Sequence, residues 1–215
     1  MSPLCILATF LASVSEDQIP GLVHESIEFE GVPYEFVSVD TDSFELRLFW
    51  KAPDGKPYGT LSSLVSGLSE KGRKVLFAAN AGIYDKAGAP LGLYVEDDIE
   101  KVSLNRGNGG GNFFIKPSGV FFVENGLPYI KTTDDYAKCQ PRPTMATQSG
   151  PMLLVNGEIN KEFRKESTNR FVRSGVGVDS RGNSVFLLSR LPVNLYTFAQ
   201  CFRENLGCKN ALYLD

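Results

Sequence analysis

Short runs of alternating apolar and polar residues, closed by turns rich in Gly, Pro and Asn, follow one another along most of this 215-residue chain. Such runs predict strands joined by hairpins, which pair antiparallel with their chain neighbours. Ile27-Glu28-Phe29-Glu30 alternates, Gly31-Val32-Pro33 turns, and residues 34–39 alternate again. Residues 44–50 form another alternating run. Residues 75–79 are continuously apolar, which predicts a strand buried on both faces. Further strands are predicted at 92–96, 112–116, 119–124, 128–132, 145–148, 152–155, 173–178, 185–188 and 211–215, with hairpin-type turns at Pro117-Ser118-Gly119 and Glu124-Asn125-Gly126. Two stretches carry the helical period instead. Leu61, Leu64, Val65 and Leu68 are spaced i, i+3, i+4, i+7, with Thr60 as N-cap and Gly72 as stop. Residues 194–206 place Leu195, Phe198, Ala199 and Phe202 on one face, with Gly207 ending the helix. The expected architecture is α+β: a twisted, mostly antiparallel sheet with two main helices.

Composition removes several function classes. Lys and Arg total 22 against 25 Asp and Glu, a net charge of −3, so there is no basic excess for a nucleic-acid partner. No apolar run reaches membrane-spanning length. The single His and four Cys form no CxxC or HExxH motif, so no zinc site is expected; no cofactor is expected either, and a magnesium or calcium ion held by Asp and Glu stays open. Cys201 and Cys208 sit about 10 Å apart if their helix continues, too far to bridge, and are expected as free buried thiols. His24 precedes the first strand-like segment and is expected to be a dispensable surface or packing residue. Residues 4–12 are mostly apolar and lead into Ser13-Val14-Ser15, the pattern of an export signal, although no Lys or Arg precedes them. The alternative is a first buried strand or helix. Residues 1–24 are therefore set apart as an N-terminal segment and 25–215 as the functional domain, with an extracytoplasmic (periplasmic or secreted) location expected.

Four places carry chemistry. Asn80-Ala81-Gly82 leaves the buried strand, where a polar side chain meets ligands or merely turns the chain. Gln148-Ser149-Gly150-Pro151 interrupts two apolar strands, either as a bulge or as amide and hydroxyl donors facing a cleft. Arg173-Ser174-Gly175 combines a guanidinium fork, a hydroxyl and an approachable backbone, which suits a phosphate as well as a plain surface Arg. With one imidazole in the chain, acid–base work falls to carboxylates at strand ends: Asp85, Glu96, Asp179 and Asp215. The glycine-rich stretch 106–112 is followed by an aromatic strand-like run, not a helix, and is taken as a loop.

Seven segments in order, LFWKAPDGKPYGT (48–60), FAANAGIYD (77–85), PLGLYVE (90–96), GNFFIKPSGVFFVENG (111–126), QSGPMLLVNGEIN (148–160), STNRFVRSGVGV (167–178) and NALYLD (210–215), resemble the phosphodiester glycosidase family, in its bacterial exported branch. The resemblance implies hydrolysis of a sugar-1-phosphodiester, with a glycan or sugar phosphate as substrate. It implies substrate contacts at Asn80, Gly82, Ser149, Gly150, Arg173 and Ser174, to which the residue pattern adds Gln148. It puts a site residue at Asp215, with Glu96 and Asp85 as the other candidate catalytic carboxylates. The family pattern continues past that Asp with glycines and small residues, so a truncated, weakly active form is the expectation. A non-catalytic glycan- or sugar-phosphate-binding module and a metal-dependent phosphodiesterase are the rival readings.

Overall fold

The computed structural model describes the backbone of Cys5–Phe10 and residues 19–214. In chain order the elements are β1 (Cys5–Phe10), β2 (Leu22–Phe29), β3 (Val32–Val39), β4 (Glu45–Phe49), α1 (Leu61–Ser69), β5 (Lys74–Asn80), β6 (Tyr94–Glu96), β7 (Ile99–Val102), β8 (Gly119–Glu124), β9 (Leu127–Thr132), α2 (Thr133–Cys139), β10 (Met145–Ser149), β11 (Met152–Val155), β12 (Glu158–Ile159), β13 (Ser174–Val178), β14 (Ser184–Ser189), α3 (Leu195–Glu204) and β15 (Asn210–Tyr213). They build three sheets, ordered β4-β1-β5, β7-β6-β10-β8-β9 and β12-β11-β15-β13-β14-β3-β2. The fold is α+β, and neighbouring strands pair antiparallel. The predicted single sheet is thus three.

Local chemistry sets the hairpins. β8 turns into β9 through Asn125-Gly126, both at positive φ (52° and 79°), with Glu124 facing Leu127. This two-residue turn matches the right-handed twist of its strands, and glycine adopts its second position without steric cost. Glu30-Gly31, Asp97-Asp98 and Asn156-Gly157 repeat the same positive-φ pair between β2 and β3, β6 and β7, and β11 and β12.

Side-chain alternation stacks the layers. From β8, Phe121 and Val123 join a central core with Phe186 of β14, Met152 of β11 and Leu212 of β15, between the seven-stranded sheet and the two smaller ones. Val120 and Phe122, facing the other way, pack with Tyr136 of α2. The outer face of the seven-stranded sheet packs Tyr34, Ala211 and Tyr213 against Phe198 and Phe202 of α3. α1 lays Leu64 and Leu68 on Val75 and Ala78 of β5.

Both predicted helices are present. The Thr60 hydroxyl accepts from the Ser63 backbone N–H at 3.0 Å and caps α1. Thr60→Ala is expected to lower stability by about 1 kcal/mol in urea unfolding, with an unchanged denaturant slope. α3 ends at Glu204, and Gly207, at φ 62°, reverses the chain so that the Cys208 N–H donates to the Phe202 carbonyl at 3.0 Å. Cys201 and Cys208 are free and buried, and burial pushes both thiols up to about 12.

Several expectations are corrected. Residues 112–116 do not form a strand: Asn112–Phe114 is a 3-10 turn that buries Phe113, so Pro117-Ser118-Gly119 joins no hairpin. α2 and β7 are additional elements. β2 starts at Leu22 and contains His24, so the seven-stranded sheet extends across the boundary drawn at residue 25. Within the apolar run at 4–12, Cys5–Phe10 is β1, whose backbone lies between β4 and β5, as the alternative of a first strand expects. Ser13-Val14-Ser15 lies outside the described residues. Among the described residues no helix is long and apolar enough to cross a membrane.

Candidate active site

A cleft of about 570 Å³ lies between the inner face of the seven-stranded sheet and β5 with α1. Asn80 enters it from the end of β5, Arg173 and Ser174 from the start of β13, and Leu214 from the end of β15. The Leu214 N–H donates to the Ser174 carbonyl at 3.0 Å, so β13 and β15 finish side by side at the cleft. Asp215, the next residue along the chain, lies outside the described residues.

The structure separates the two halves of the expected phosphate clamp. Successive residues of a strand point to opposite faces. Ser174 shares the inner face with Val176, while Arg173 sits on the side of Tyr213. The Arg173 residue is 1% exposed. Its Nε donates to the Val193 carbonyl at 2.7 Å, and its Nη2 donates to the Asn169 carbonyl and Oδ1 at 3.1 and 2.8 Å. The guanidinium lies 5.6 Å from the ring centres of both Phe171 and Tyr213. Burial lowers its pKa, and the neighbouring Tyr213 hydroxyl opposes that shift. A cation held this way is rigid and poorly hydrated, which strengthens its field on an anion beside it.

The Gln148-Ser149-Gly150 interruption divides into scaffold and one unpaired hydroxyl. Gln148, expected to meet substrate, has its side chain committed to the protein. Its Oε1 accepts from the Leu93 and Asn105 N–H groups at 3.0 and 2.9 Å, and its Nε2 donates to the Asn105 carbonyl and the Thr133 hydroxyl at 2.7 and 3.2 Å. Gly150 lets the chain pass the 3-10 turn, because a Cβ there would stand 2.5 Å from the Phe113 carbonyl oxygen. Gly82 does the same against β10: its N–H donates to the Thr147 hydroxyl at 3.1 Å, and a Cβ would meet the Gln148 carbonyl oxygen at 2.3 Å. Both glycines are therefore required by close packing. Ser149 differs. Its hydroxyl is fully buried and makes no hydrogen bond among the described residues. Buried hydroxyls are normally paired, and Ser149 does not line the cleft.

The predicted carboxylates do not gather at the cleft. Asp85 is exposed, and its Oδ1 accepts from the N–H groups of Ala87 and Ala89 at 2.8 and 3.0 Å, which fixes its own loop. Asp179 holds the β13–β14 turn through the N–H groups of Arg181 and Asn183, each at 2.9 Å. Glu96 is buried in the five-stranded sheet, where it accepts from the Tyr94 hydroxyl at 2.8 Å and pairs with Lys101 at 3.0 Å. None of the three lines the cleft. Among the described residues no three His, Cys, Asp or Glu side chains converge as a metal-ligand set.

His24 and Glu35 are cleft residues that the sequence does not mark as such. The signal is present only as alternation: Glu35 shares its strand face with Val37, and His24 faces Val37 across the β2–β3 hairpin.

The sequence profile of the phosphodiester glycosidase family matches residues 73–215. The uncharacterized Escherichia coli (strain K12) protein YigE is 40% identical over 178 residues, covering 83% of this chain and 69% of YigE. Among solved structures, the catalytic domain of zebrafish N-acetylglucosamine-1-phosphodiester alpha-N-acetylglucosaminidase, auto-inhibited by its pro-peptide, aligns with a TM-score of 0.60 at 19% identity, over 97% of this chain and 75% of that one. A hypothetical protein from Synechocystis aligns with a TM-score of 0.56 at 16% identity, over 90% of this chain and 56% of that one. At these identities the two structures share the fold. The family match covers more than half of the chain and includes the segments that carry Asn80, Ser149, Arg173 and Ser174. This chain belongs to the phosphodiester glycosidase family.

Proposed function

We propose that the protein hydrolyses a sugar-1-phosphodiester, releasing the sugar from the phosphate, in an extracytoplasmic compartment. The observation that carries this reading is the meeting of Asn80, Ser174 and the end of β15 at one cleft, with the Arg173 guanidinium held on the Tyr213 side of β13, in a chain of this family. The name of the zebrafish relative specifies the same class of bond. In this reading Asn80 and Ser174 donate hydrogen bonds to sugar or phosphate oxygens. Arg173 stabilises the phosphate as it leaves C1, from a position fixed by Val193 and Asn169. Asp215 supplies the carboxylate that attacks C1 or activates water, since Asp85, Glu96 and Asp179 lie away from the cleft and Glu35, which lines it, already accepts from Ser26, His24 and Arg190.

Hydrolysis in ¹⁸O-labelled water tests the reaction. Label in the released sugar is the expected result, because the C1–O bond breaks. Label in the phosphate means P–O cleavage and replaces this reading with a phosphodiesterase. Arg173→Lys is expected to lower kcat/KM by about 10- to 100-fold, the equivalent of one charge-assisted hydrogen bond. It should also lower the unfolding midpoint, since one ammonium cannot replace both Nε and Nη2. Unchanged kinetics would remove Arg173 from the site.

A further inference from the structure

The seven-stranded sheet ends on an edge that is open to pairing. β2 closes the sheet at one side, and among the described residues nothing pairs with its outer edge. It runs for eight residues, pairs with β3 from Leu22 to Phe29 without a register shift, and contains no Pro, Lys or Arg. Proteins blunt such edges with short strands, bulges, prolines and charged side chains, above all lysine. The other sheet ends show these devices. β12 has two residues, β7 carries Lys101, β9 carries Pro128 and Lys131, and β4 and β5 carry Arg47 and Lys74. β2 instead exposes the consecutive residues Val23, His24, Glu25 and Ser26, with Val23 40% exposed.

The hairpin turn fixes which backbone groups face outward. In a two-residue hairpin the residues flanking the turn, here Phe29 and Val32, exchange backbone hydrogen bonds, and bonded pairs then alternate along the strands. The odd-numbered residues of β2 thus bond to β3. The Asp40 N–H donates to the Gly21 carbonyl at 2.8 Å in the same phase, and the Leu22 N–H, out of phase, turns to the Ile19 carbonyl at 3.0 Å. His24, Ser26 and Glu28 therefore point their N–H and C=O groups away from the sheet. Two copies of this edge can join antiparallel about a two-fold axis perpendicular to the sheet, which keeps each face continuous and admits only registers centred on a residue. With Glu25 at the axis, two carboxylates oppose each other. With His24 or Ile27 there, the paired run shortens. With Ser26 at the axis, Val23 meets Phe29, His24 meets Glu28 and Glu25 meets Ile27, each twice by symmetry. No like charges then stand directly opposite, an imidazole faces a carboxylate, and the outward groups of residues 24, 26 and 28 make about six hydrogen bonds between the copies. The Ser26 hydroxyl, which donates to Glu35 at 2.9 Å, stays on the sheet face and leaves the edge open.

We infer that the outer edge of β2 is the interface for a second copy of this chain, paired antiparallel with Ser26 on the two-fold axis. The two seven-stranded sheets then continue as one, whatever reaction the cleft performs. Mild oxidation of single cysteines reads the register, in a Cys139→Ser background because Cys139 is exposed and free. Ser26→Cys sets two Cα atoms about 5.5 Å apart, within disulfide reach, and should give a covalent dimer. Glu28→Cys stands two residues off the axis on each copy, about 14 Å from its equivalent, and should not link. Equal linking of both, or of neither, overturns the register. Sedimentation velocity from micromolar to millimolar concentration reads the association itself, and the wild type should shift from monomer toward dimer. Ser26→Pro should weaken the association about tenfold or more, because it removes one outward N–H from each copy and leaves the bonds to β3 in place. Glu28→Lys keeps the backbone and should weaken it as well, since it removes the carboxylate opposite His24 and adds an edge lysine. Circular dichroism melting of both variants controls for folding. A monomer at every concentration, or a dimer that neither variant weakens, removes β2 as the interface.

Discussion

Replacing Asp215 with Asn is expected to lower kcat on a sugar-1-phosphodiester by about three orders of magnitude, with KM changed no more than a few-fold. Asn keeps the volume and an acceptor oxygen, so binding survives, but it neither attacks C1 nor takes a proton from water. The expectation follows from where the other carboxylates are. Asp85 and Asp179 each accept two backbone N–H groups of their own turns. Glu96 is held between Tyr94 and Lys101 in a different sheet. Asp215 is the carboxylate that the family resemblance marks, next along the chain after Leu214, whose N–H donates to the Ser174 carbonyl. Asp85→Asn is therefore expected to leave kcat within about threefold and to loosen the loop that residues 85–89 close. Glu96→Gln should affect stability before turnover, because the buried Glu96 loses its ion pair with the solvent-exposed Lys101. Steady-state kinetics on the three variants separates the cases. An Asp215→Asn protein within tenfold of wild type, or a dead Glu96→Gln protein that melts normally, would show that the carboxylate has been misassigned.

The elements legible in the sequence are those whose signal is local. α1 and α3 announce themselves by period and caps, because Leu64, Leu68, Phe198 and Phe202 must all face a sheet. Asn125-Gly126 is legible because few residue pairs tolerate two positive φ angles in succession. β7 is not, since Ile99 and Val102 are separated by two charged residues on an edge strand whose first three residues are all exposed. Nor is α2, whose seven residues bury only Thr133 and Tyr136, too few to establish a period. The aromatic run after Asn112 imitates a strand, yet Phe113 enters the core from a 3-10 turn held against Gly150. The site divides on the same principle. Asn80 and Ser174 stand out because polar residues interrupt apolar strands there. His24 does not, because its relation to Glu35 and to the cleft exists only after β2 pairs with β3.

Gln148 is the residue for which the structure most changes the expectation, and it carries the largest predicted loss of stability. Its four side-chain hydrogen bonds tie β10 to the segments around Leu93, Asn105 and Thr133, 55, 43 and 15 residues away in sequence. No reading of neighbouring residues reveals such partners. The amide supplies what a missing strand residue would: an acceptor for two N–H groups and a donor to one carbonyl. Gly92 leaves room for it, since a Cβ there would meet Gln148 Oε1 at 2.2 Å. Gln148→Ala strands the Leu93 N–H and both backbone groups of Asn105 away from water, each at about 1–3 kcal/mol. Solvent reaching the partly buried Asn105 recovers some of this, so the expected loss is about 3–6 kcal/mol, a large share of a typical domain's stability. Gln148→Glu keeps the two accepted bonds but loses both donated ones and buries a charge, so it should be no better at neutral pH. Urea unfolding of both variants measures the effect. A normal unfolding midpoint combined with a raised KM would return Gln148 to the substrate. The expected outcome is the reverse: a much lower midpoint, with KM near wild type at temperatures where the variant remains folded.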